Sequence, residues 1–352
     1  MAVHAQDFPG GVLDEADLAL INCLEVAPRA SWRRIGDALA LDPVTVARRW
    51  QRLSSSGTAW VTGRPNRLAS LDACIATIEV SCTAPHALNA ARLLAQRPDV
   101  VSVEHTSGEY DMTLLVAVSG TAELSEFLFS VLGAVPGVRA TRTHLVAGVR
   151  TSGDQWRLRV LDAQQMAVLA APQAPTRPSG VRRRALDEAD RRLIAALGAD
   201  GRAPLAALAQ ATGLGTSTVQ RRLQELLDRR DLVLRCDVAD AASGWPIAVW
   251  VWAAVDPGDL TSVPALLQRM PSLRACLELA GGPANVLLGV AARTLGEAAS
   301  VQARLARDAP GMTVLGSSLV LRFIKRMGRL LDERGRSVGA VPIDVWGMGH
   351  GG

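Results

Sequence analysis

Two widely separated stretches carry apolar residues every three to four positions, and in the segments after each the period drops to two. Leu18, Ile21 and Leu24 fall on one helical face over residues 15–25. Trp32, Ile35 and Leu39 do so over 32–39, as do Val46, Trp50 and Leu53 in LDPVTVARRWQRL, from Leu41 to Leu53. The spacing predicts three short helices. The third has its own start signal: Asp42 can serve as N-cap, and Pro43 can take the first helical position, where its missing N–H costs nothing. The same text returns as LGTSTVQRRLQEL, from Leu214 to Leu226, with Val219, Leu223 and Leu226 inward and Thr216 or Ser217 available as cap. Aligned from Leu13 with a shift of 173, 18 of 41 residue pairs are identical, which establishes a duplication.

The turn before the third helix contains Gly213 in the second copy, where a left-handed residue is often needed. Ala40 stands at the matching place in the first copy, so that turn is expected to be distorted. Beyond each helical unit, first strands are predicted at Ala73–Val80 and Pro246–Val255, with helices near Ala84–Gln96 and Leu260–Met270. Second strands follow Pro98 and Pro271, third strands cover Met112–Val118 and Val286–Ala291, and second helices Ala122–Leu132 and Leu295–Ala306. Fourth strands follow Pro136-Gly137 and Pro310-Gly311. Strand, helix, two strands, helix, strand is the order of a ferredoxin-like sheet. The shift grows to 174 here, with the extra residue at Gly281-Gly282. The fold class is therefore α+β: two copies of a three-helix, winged-type helix-turn-helix domain followed by a βαββαβ domain. The boundaries fall at 13–62 and 185–236 for the helical domains and at 69–150 and 244–326 for the sheets. Residues 151–184 form a linker in which Gln155–Ala170 reads as either strand or helix and Ala171–Arg184 is Pro-rich, then basic.

Charge alters the picture through its placement. The net value is only +4, but in both copies helix one is acidic (Asp14, Glu15, Asp17; Asp187, Glu188, Asp190) and helix three carries arginines on its polar face. A helix of that kind, following two others, suits a DNA major groove. Thr45 and Thr218 lie near the helix starts, within reach of base edges or phosphates. Arg48 and Arg221, one turn on, are the candidates for guanine; Arg49, Arg52 and Arg222 are candidates for phosphates; Thr216, Ser217 and Gln220 complete the set. The two faces differ, Arg52 against Glu225 and Ala47 against Gln220, so unlike half-sites are expected. Five scattered cysteines without a C-x-x-C pair favour free thiols in a reducing compartment over disulfides or zinc. No apolar run is long enough to span a membrane, and no signal sequence is evident, so the expected location is the cytoplasm.

LDEADLALI and LDEADRRLI at the helix-one starts, the paired arginines of helix three, Gly108-Glu-Tyr-Asp111 and Pro136-Gly137-Val138 occur in an order that resembles the Lrp/AsnC (feast/famine) transcriptional regulators. The resemblance covers nearly the whole chain twice, as if two protomers were fused head to tail. It implies double-stranded DNA as partner, homo-oligomers assembled through the sheets, and a small effector, often an amino acid, bound near the glycine loop. By that resemblance Gly108 and Asp111 would contact the effector in the first half. Gly282 and Asn285 replace them in the second, where the lost charge would alter or abolish the site. No enzyme activity, cofactor or metal is implied. Some proteins of similar build are siroheme decarboxylases using histidines in this region. Here His105 and Tyr110 are present without a His-Asn-Tyr cluster, and LELAGGPAN has no histidine. An effector sensor with decayed DNA binding is the other alternative. Trp250 and Trp252 share a strand face and read as core rather than ligand pocket.

Overall fold

The computed structural model describes residues 13–346 apart from 67–72, 152–156, 171–184, 259, 261–262, 264–269, 271 and 310. The described residues gather in two units, one built from Met1–Pro65 with Arg157–Ala242, the other from Asn66–Trp156 with Ser243–Gly352. Each unit thus takes one piece from each copy of the repeat. The helix expected near Leu260–Met270, the segment Ala171–Arg184, Pro271, Pro310 and the C-terminal GMGHGG lie largely or wholly outside the described residues.

The first unit contains α1 (Glu15–Val26), α2 (Trp32–Leu39) and α3 (Pro43–Ser55), then strand β1 (Ala59–Pro65). Leu20, Ile21, Leu24, Ile35, Val46, Trp50 and Leu53 form one apolar cluster between the helices. Ala40 closes α2 with φ 53° and ψ 42°, the left-handed conformation that Gly213 adopts in the second copy with φ 70°. The expected distortion is absent: Leu41 N donates to Gly36 O and Leu214 N to Ala209 O, so the two turns share one geometry. Residues 163–170, ambiguous in sequence, form helix α6 (Ala163–Ala170), which packs on α2. Arg34 donates to the carbonyls of Val168 and Leu169, while Asn22 and Glu25 accept from the amides of Val160 and Leu158. That part of the expected linker is a strap on the first three-helix domain.

The second copy gives α7 (Glu188–Ala199), α8 (Leu205–Thr212), α9 (Thr216–Asp228) and β6 (Leu232–Val238). The strands after the two helical triplets are not wings of their own domains. They pair with each other, antiparallel, from Ala59↔Val238 to Pro65↔Leu232, and the central rung joins Thr62 to Arg235, its own counterpart under the 173-residue shift. A ladder centred on such a pair has a pseudo-two-fold axis through it.

The second unit contains β2 (Cys74–Cys82), α4 (Ala87–Ala95), β3 (Val100–Thr106), β4 (Met112–Val118), α5 (Thr121–Glu126) running into a π-helical turn (Phe127–Leu132), and β5 (Val138–Thr151). Its second half has β7 (Ile247–Val255), β8 (Leu273–Ala280), β9 (Val286–Ala292), α10 (Leu295–Ala299), α11 (Val301–Asp308) and β10 (Met312–Arg326). Each half has the ferredoxin-like strand order, second-third-first-fourth. Each fourth strand also pairs with the second strand of the other half, β5 with β8 and β10 with β3. Because β10 further pairs with β7, eight strands in the order β10-β3-β4-β2-β5-β8-β9-β7 close into a barrel. Ile78, Val80, Leu114 and Leu94 fill the layer beneath the helices of one half; Val251, Leu288, Val290 and Leu305 fill the other. Ile75, Val101, Val146, Leu279 and Leu287 face the barrel interior. Two short strands that the periodicity did not reveal, β11 (Arg329–Leu331) and β12 (Ser337–Ala340), extend the edge beside β10.

Candidate nucleic-acid interface and effector cavity

Helix α3 starts as its sequence dictates. Asp42 accepts from the amides of Val44 (2.8 Å) and Thr45 (3.4 Å), and Pro43 occupies the first turn. Its counterpart α9 starts differently: Gly215 is the N-cap without a side-chain bond, so Thr216 and Ser217 are the first helical residues rather than caps. In α3, Val44, Arg48, Gln51 and Arg52 are exposed and Thr45 and Ala47 half-buried; in α9, Ser217, Gln220, Arg221 and Gln224 are exposed and Thr218 half-buried. Val46, Trp50 and Leu53, like Val219, Leu223 and Leu226, are buried on the opposite side.

The arginines divide into two groups. Arg49 donates to both oxygens of Asp14 (3.0 and 2.8 Å) and to Asp17 (2.8 Å), and Arg52 donates to the other oxygen of Asp17 (2.5 Å). Arg222 repeats this with Asp187 and Asp190, at 2.8–2.9 Å. Asp17 and Asp190 are fully buried, and a buried carboxylate needs a cation and hydrogen bonds to be tolerated. Arg49, Arg52 and Arg222, the residues expected at phosphates, are thus ion-paired within the domain and lock helix three to helix one. The signal was in the sequence, because the acids of LDEAD and the arginines of helix three recur together at the same separation in both copies. Arg48 stands exposed on the outward face. Arg221 is exposed too, but Glu225, one turn on, accepts from it at 2.6 Å.

A reciprocal clasp holds the two helical domains across the pseudo-two-fold. Arg29 donates to the carbonyls of Gly201 (2.7 Å) and Ala203 (3.0 Å), and its counterpart Arg202 donates to those of Pro28 (2.6 Å) and Ala30 (2.9 Å). The four acceptors are themselves counterparts. Arg202 also stacks over the Trp32 ring at 3.8 Å, and burial lowers its pKa to about 10. The contact is isologous, as in a symmetric dimer, but lies within one chain.

In the second unit, Gly108 has φ 104° and Gly281 and Gly282 have φ 78° and 100°, so the glycines serve loop geometry. Asp111 accepts from Cys82 N at 2.6 Å. Asn285 accepts from Val255 N (2.9 Å) and donates to Val255 O (2.7 Å). Both side chains tie their loop to the end of a neighbouring strand. Asn285 lacks the charge of Asp111 but keeps its acceptor, so the two loops share one anchoring bond. Next to both loops lies a cavity of about 370 Å³ bordered by Tyr110, Arg142, His144 and Glu79 on one side and by Trp252, Ala284 and Leu315 on the other. His144 and Glu79 meet at 3.1 Å, both buried. Trp252 thus borders a cavity, while Trp250 donates its indole N–H to the buried Glu104. His105 is exposed and does not border the cavity. Sequence reasoning missed Glu79, Arg142 and His144, because ordinary inward positions on alternating strands carry no mark until the barrel closes. Among the described residues there is no cluster of potential metal ligands, and the five cysteines are free thiols. No helix of the described residues is long and apolar enough to cross a membrane.

A duplicated helix-turn-helix unit joined to a duplicated ferredoxin-like barrel defines the class. The AsnC-type helix-turn-helix domain matches residues 13–54 and again 186–227, and the Lrp/AsnC ligand binding domain matches 75–152. The HTH-type transcriptional regulator FL11 of Pyrococcus horikoshii is 32% identical over 139 residues, 38% of this chain and 89% of that protein. The HTH-type transcriptional regulator LrpA of Mycobacterium tuberculosis is 36% identical over 107 residues, 30% of this chain and 71% of that protein. This chain belongs to the Lrp/AsnC family of transcriptional regulators, in duplicated form. Over its length it also shares the fold of the siroheme decarboxylase NirDL, at 12% identity and a TM-score of 0.57, covering 89% of this chain and 93% of that one.

Proposed function

We propose that the chain is a sequence-specific transcriptional regulator that binds double-stranded DNA as a covalent pseudo-dimer in the cytoplasm, with a small effector such as an amino acid received beside the glycine loops. One observation carries the DNA reading: two outward-facing recognition helices belong to one unit and are clasped about a pseudo-two-fold, the arrangement that reads two half-sites of a duplex. Arg48, with Thr45 and Gln51 beside it, reads the first half-site. Arg221, with Thr216, Ser217, Thr218, Gln220 and Gln224 around it, reads the second. The effector reading rests on the cavity next to Gly108, Asp111, Gly282 and Asn285, and higher assembly of chains through the sheet domains is part of the same proposal.

Selection of random duplexes with the full chain tests this. The expected product is an asymmetric site with one guanine-anchored half. Arg48→Ala should remove preference in that half, by about 1–3 kcal/mol between cognate and altered bases. Absence of any selected sequence would leave an effector sensor without a DNA role. The decarboxylase reading rests on the shared fold alone, and among the described residues Arg142 is the one arginine or lysine bordering the cavity, enough for a single oxyanion where a tetrapyrrole polycarboxylate calls for several cations.

A further inference from the structure

The cavity is bordered by pairs of residues that the duplication relates, and the two members of each pair are unlike. The ladder registers fix the correspondence. Glu79 opposes Arg142 on the β2–β5 ladder, and Trp252 opposes Gly316 at the same rung of β7–β10. Trp252 therefore stands where the first half has Glu79, and Gly316 where it has Arg142. Two residues along, His144 opposes Thr77, and Ser318 opposes Trp250. In the loops, Tyr110 precedes Asp111 as Ala284 precedes Asn285. All four pairs, Glu79 with Trp252, Arg142 with Gly316, His144 with Ser318 and Tyr110 with Ala284, border the same space. A space touched by both members of these four pairs lies on the axis that relates them, so the barrel holds this cavity once rather than in two equivalent copies.

Two identical chains would line it with two arginines, two histidines and two glutamates at close quarters. Here the charged groups stand on one wall only. A Cβ added at Gly316 would meet no atom within 4 Å, so the space facing Arg142 is open. The guanidinium of Arg142 stacks on Tyr110 at 5.1 Å and lies 3.9 Å from Glu79 and 3.8 Å from Glu109, beyond hydrogen-bond length from either carboxylate. It already fills the cation position between those two acids. Neither carboxylate accepts a hydrogen bond from it, so the donors of the guanidinium fork are available to a ligand oxyanion. Trp252 and Leu315 supply an apolar wall opposite, and the volume suits a small molecule.

We propose that this cavity binds one small organic oxyanion per chain, its carboxylate or phosphate head on Arg142 and its apolar body against Trp252 and Leu315. The proposal rests on the effector reading above, not on the DNA reading. Calorimetry on the full, DNA-free chain tests it with phenylacetate, phenyl phosphate, inorganic phosphate and phenylethylamine. The expected result is saturation at one equivalent by phenylacetate or phenyl phosphate, whichever head the site prefers, with weaker binding of inorganic phosphate and none of the amine. Arg142→Met should weaken that binding by about tenfold or more, the loss of one charged hydrogen-bonded pair. Gly316→Leu, which fills the open space and leaves Arg142 intact, should abolish it, with circular dichroism and the melting curve verifying that both variants fold. Two equivalents per chain, equal binding of the amine, indifference to both substitutions, or no saturation by either organic anion would overturn the proposal. Selection of a DNA site by the same preparation would be unaffected by any of these outcomes.

Discussion

Ala40 and Gly213 close the same turn in the two copies, but only one is built for it. A left-handed residue with a Cβ is disfavoured by about 1–2 kcal/mol, and Ala40 holds φ 53° because the Leu41–Gly36 hydrogen bond and the docking of α3 require it. Ala40→Gly relieves that cost and gives back part of it as chain entropy, so the first helical domain should gain about 0.5–1 kcal/mol, read from the denaturant midpoint. A loss would mean the alanine methyl packs usefully. The alignment exposed the mismatch but pointed to the wrong remedy: the turn is conserved and the residue is strained. Glu25 makes a second residue-scale case. Burial pushes its carboxyl up from an ordinary 4.5 to about 7, against hydrogen bonds from Leu158 N and Asn22 that favour the charged form. Between those two values the native chain holds a proton that the unfolded chain has released. Glu25 therefore contributes a stability that falls as pH rises from 4.5 to 7, by up to about 3 kcal/mol. Glu25→Gln, which keeps an acceptor for the Leu158 amide, should flatten that part of the stability–pH curve. An unchanged slope in the variant would assign it to other groups.

At the scale of elements, the helices were legible because each carried a complete set of local instructions: an apolar stripe, a cap, a first-turn acid. The strands β1 and β6 were not. AWVTGRP and LVLRCDV mix apolar and charged residues, and the partner of each lies in the other copy of the repeat, so no local period announces the ladder. Helix α6 was ambiguous for a related reason, since its short apolar stretch is fixed by the α2 surface it covers and by Arg34 reaching its carbonyls. The recognition helices illustrate how an element's neighbours redefine its residues. Paired arginines looked like one DNA-facing set, yet one arginine of each pair is consumed by a buried acid of helix one. The remaining asymmetry is testable. Glu225 stands where α3 has Arg52, and it both holds Arg221 and adds a negative charge near the duplex. Glu225→Ala should strengthen binding to the second half-site by about 0.5–1 kcal/mol at low salt and leave the first half-site unchanged. Equal gains on random DNA would show that Glu225 acts on the phosphates alone and that Arg221 reads no base.

For the whole molecule, duplication has interleaved the two copies rather than set them side by side. The first unit is joined across the copies by the β1–β6 ladder and the Arg29–Arg202 clasp. The second is joined by β5–β8 and β10–β3, the two ladders that close the barrel. Neither copy completes either unit alone, since an eight-stranded barrel halved at those ladders exposes two strand edges and the apolar interior around Val101, Val146 and Leu279. The covalent link between the copies then raises effective concentration and makes unlike halves pair, while the ladders and the clasp hold them together. A specific protease site inserted within residues 171–184 and cleaved should leave the fragments of about equal size eluting together at the mass of the intact chain. The cleaved protein should also retain its asymmetric DNA site, because the clasp and the ladders are untouched. If cleavage releases two separately eluting fragments, the strand pairing is too weak to carry the assembly. If instead the fragments exchange into symmetric like-with-like pairs, complementarity between the charged and uncharged walls of the barrel does not select the partner, and the covalent link alone enforces the asymmetry.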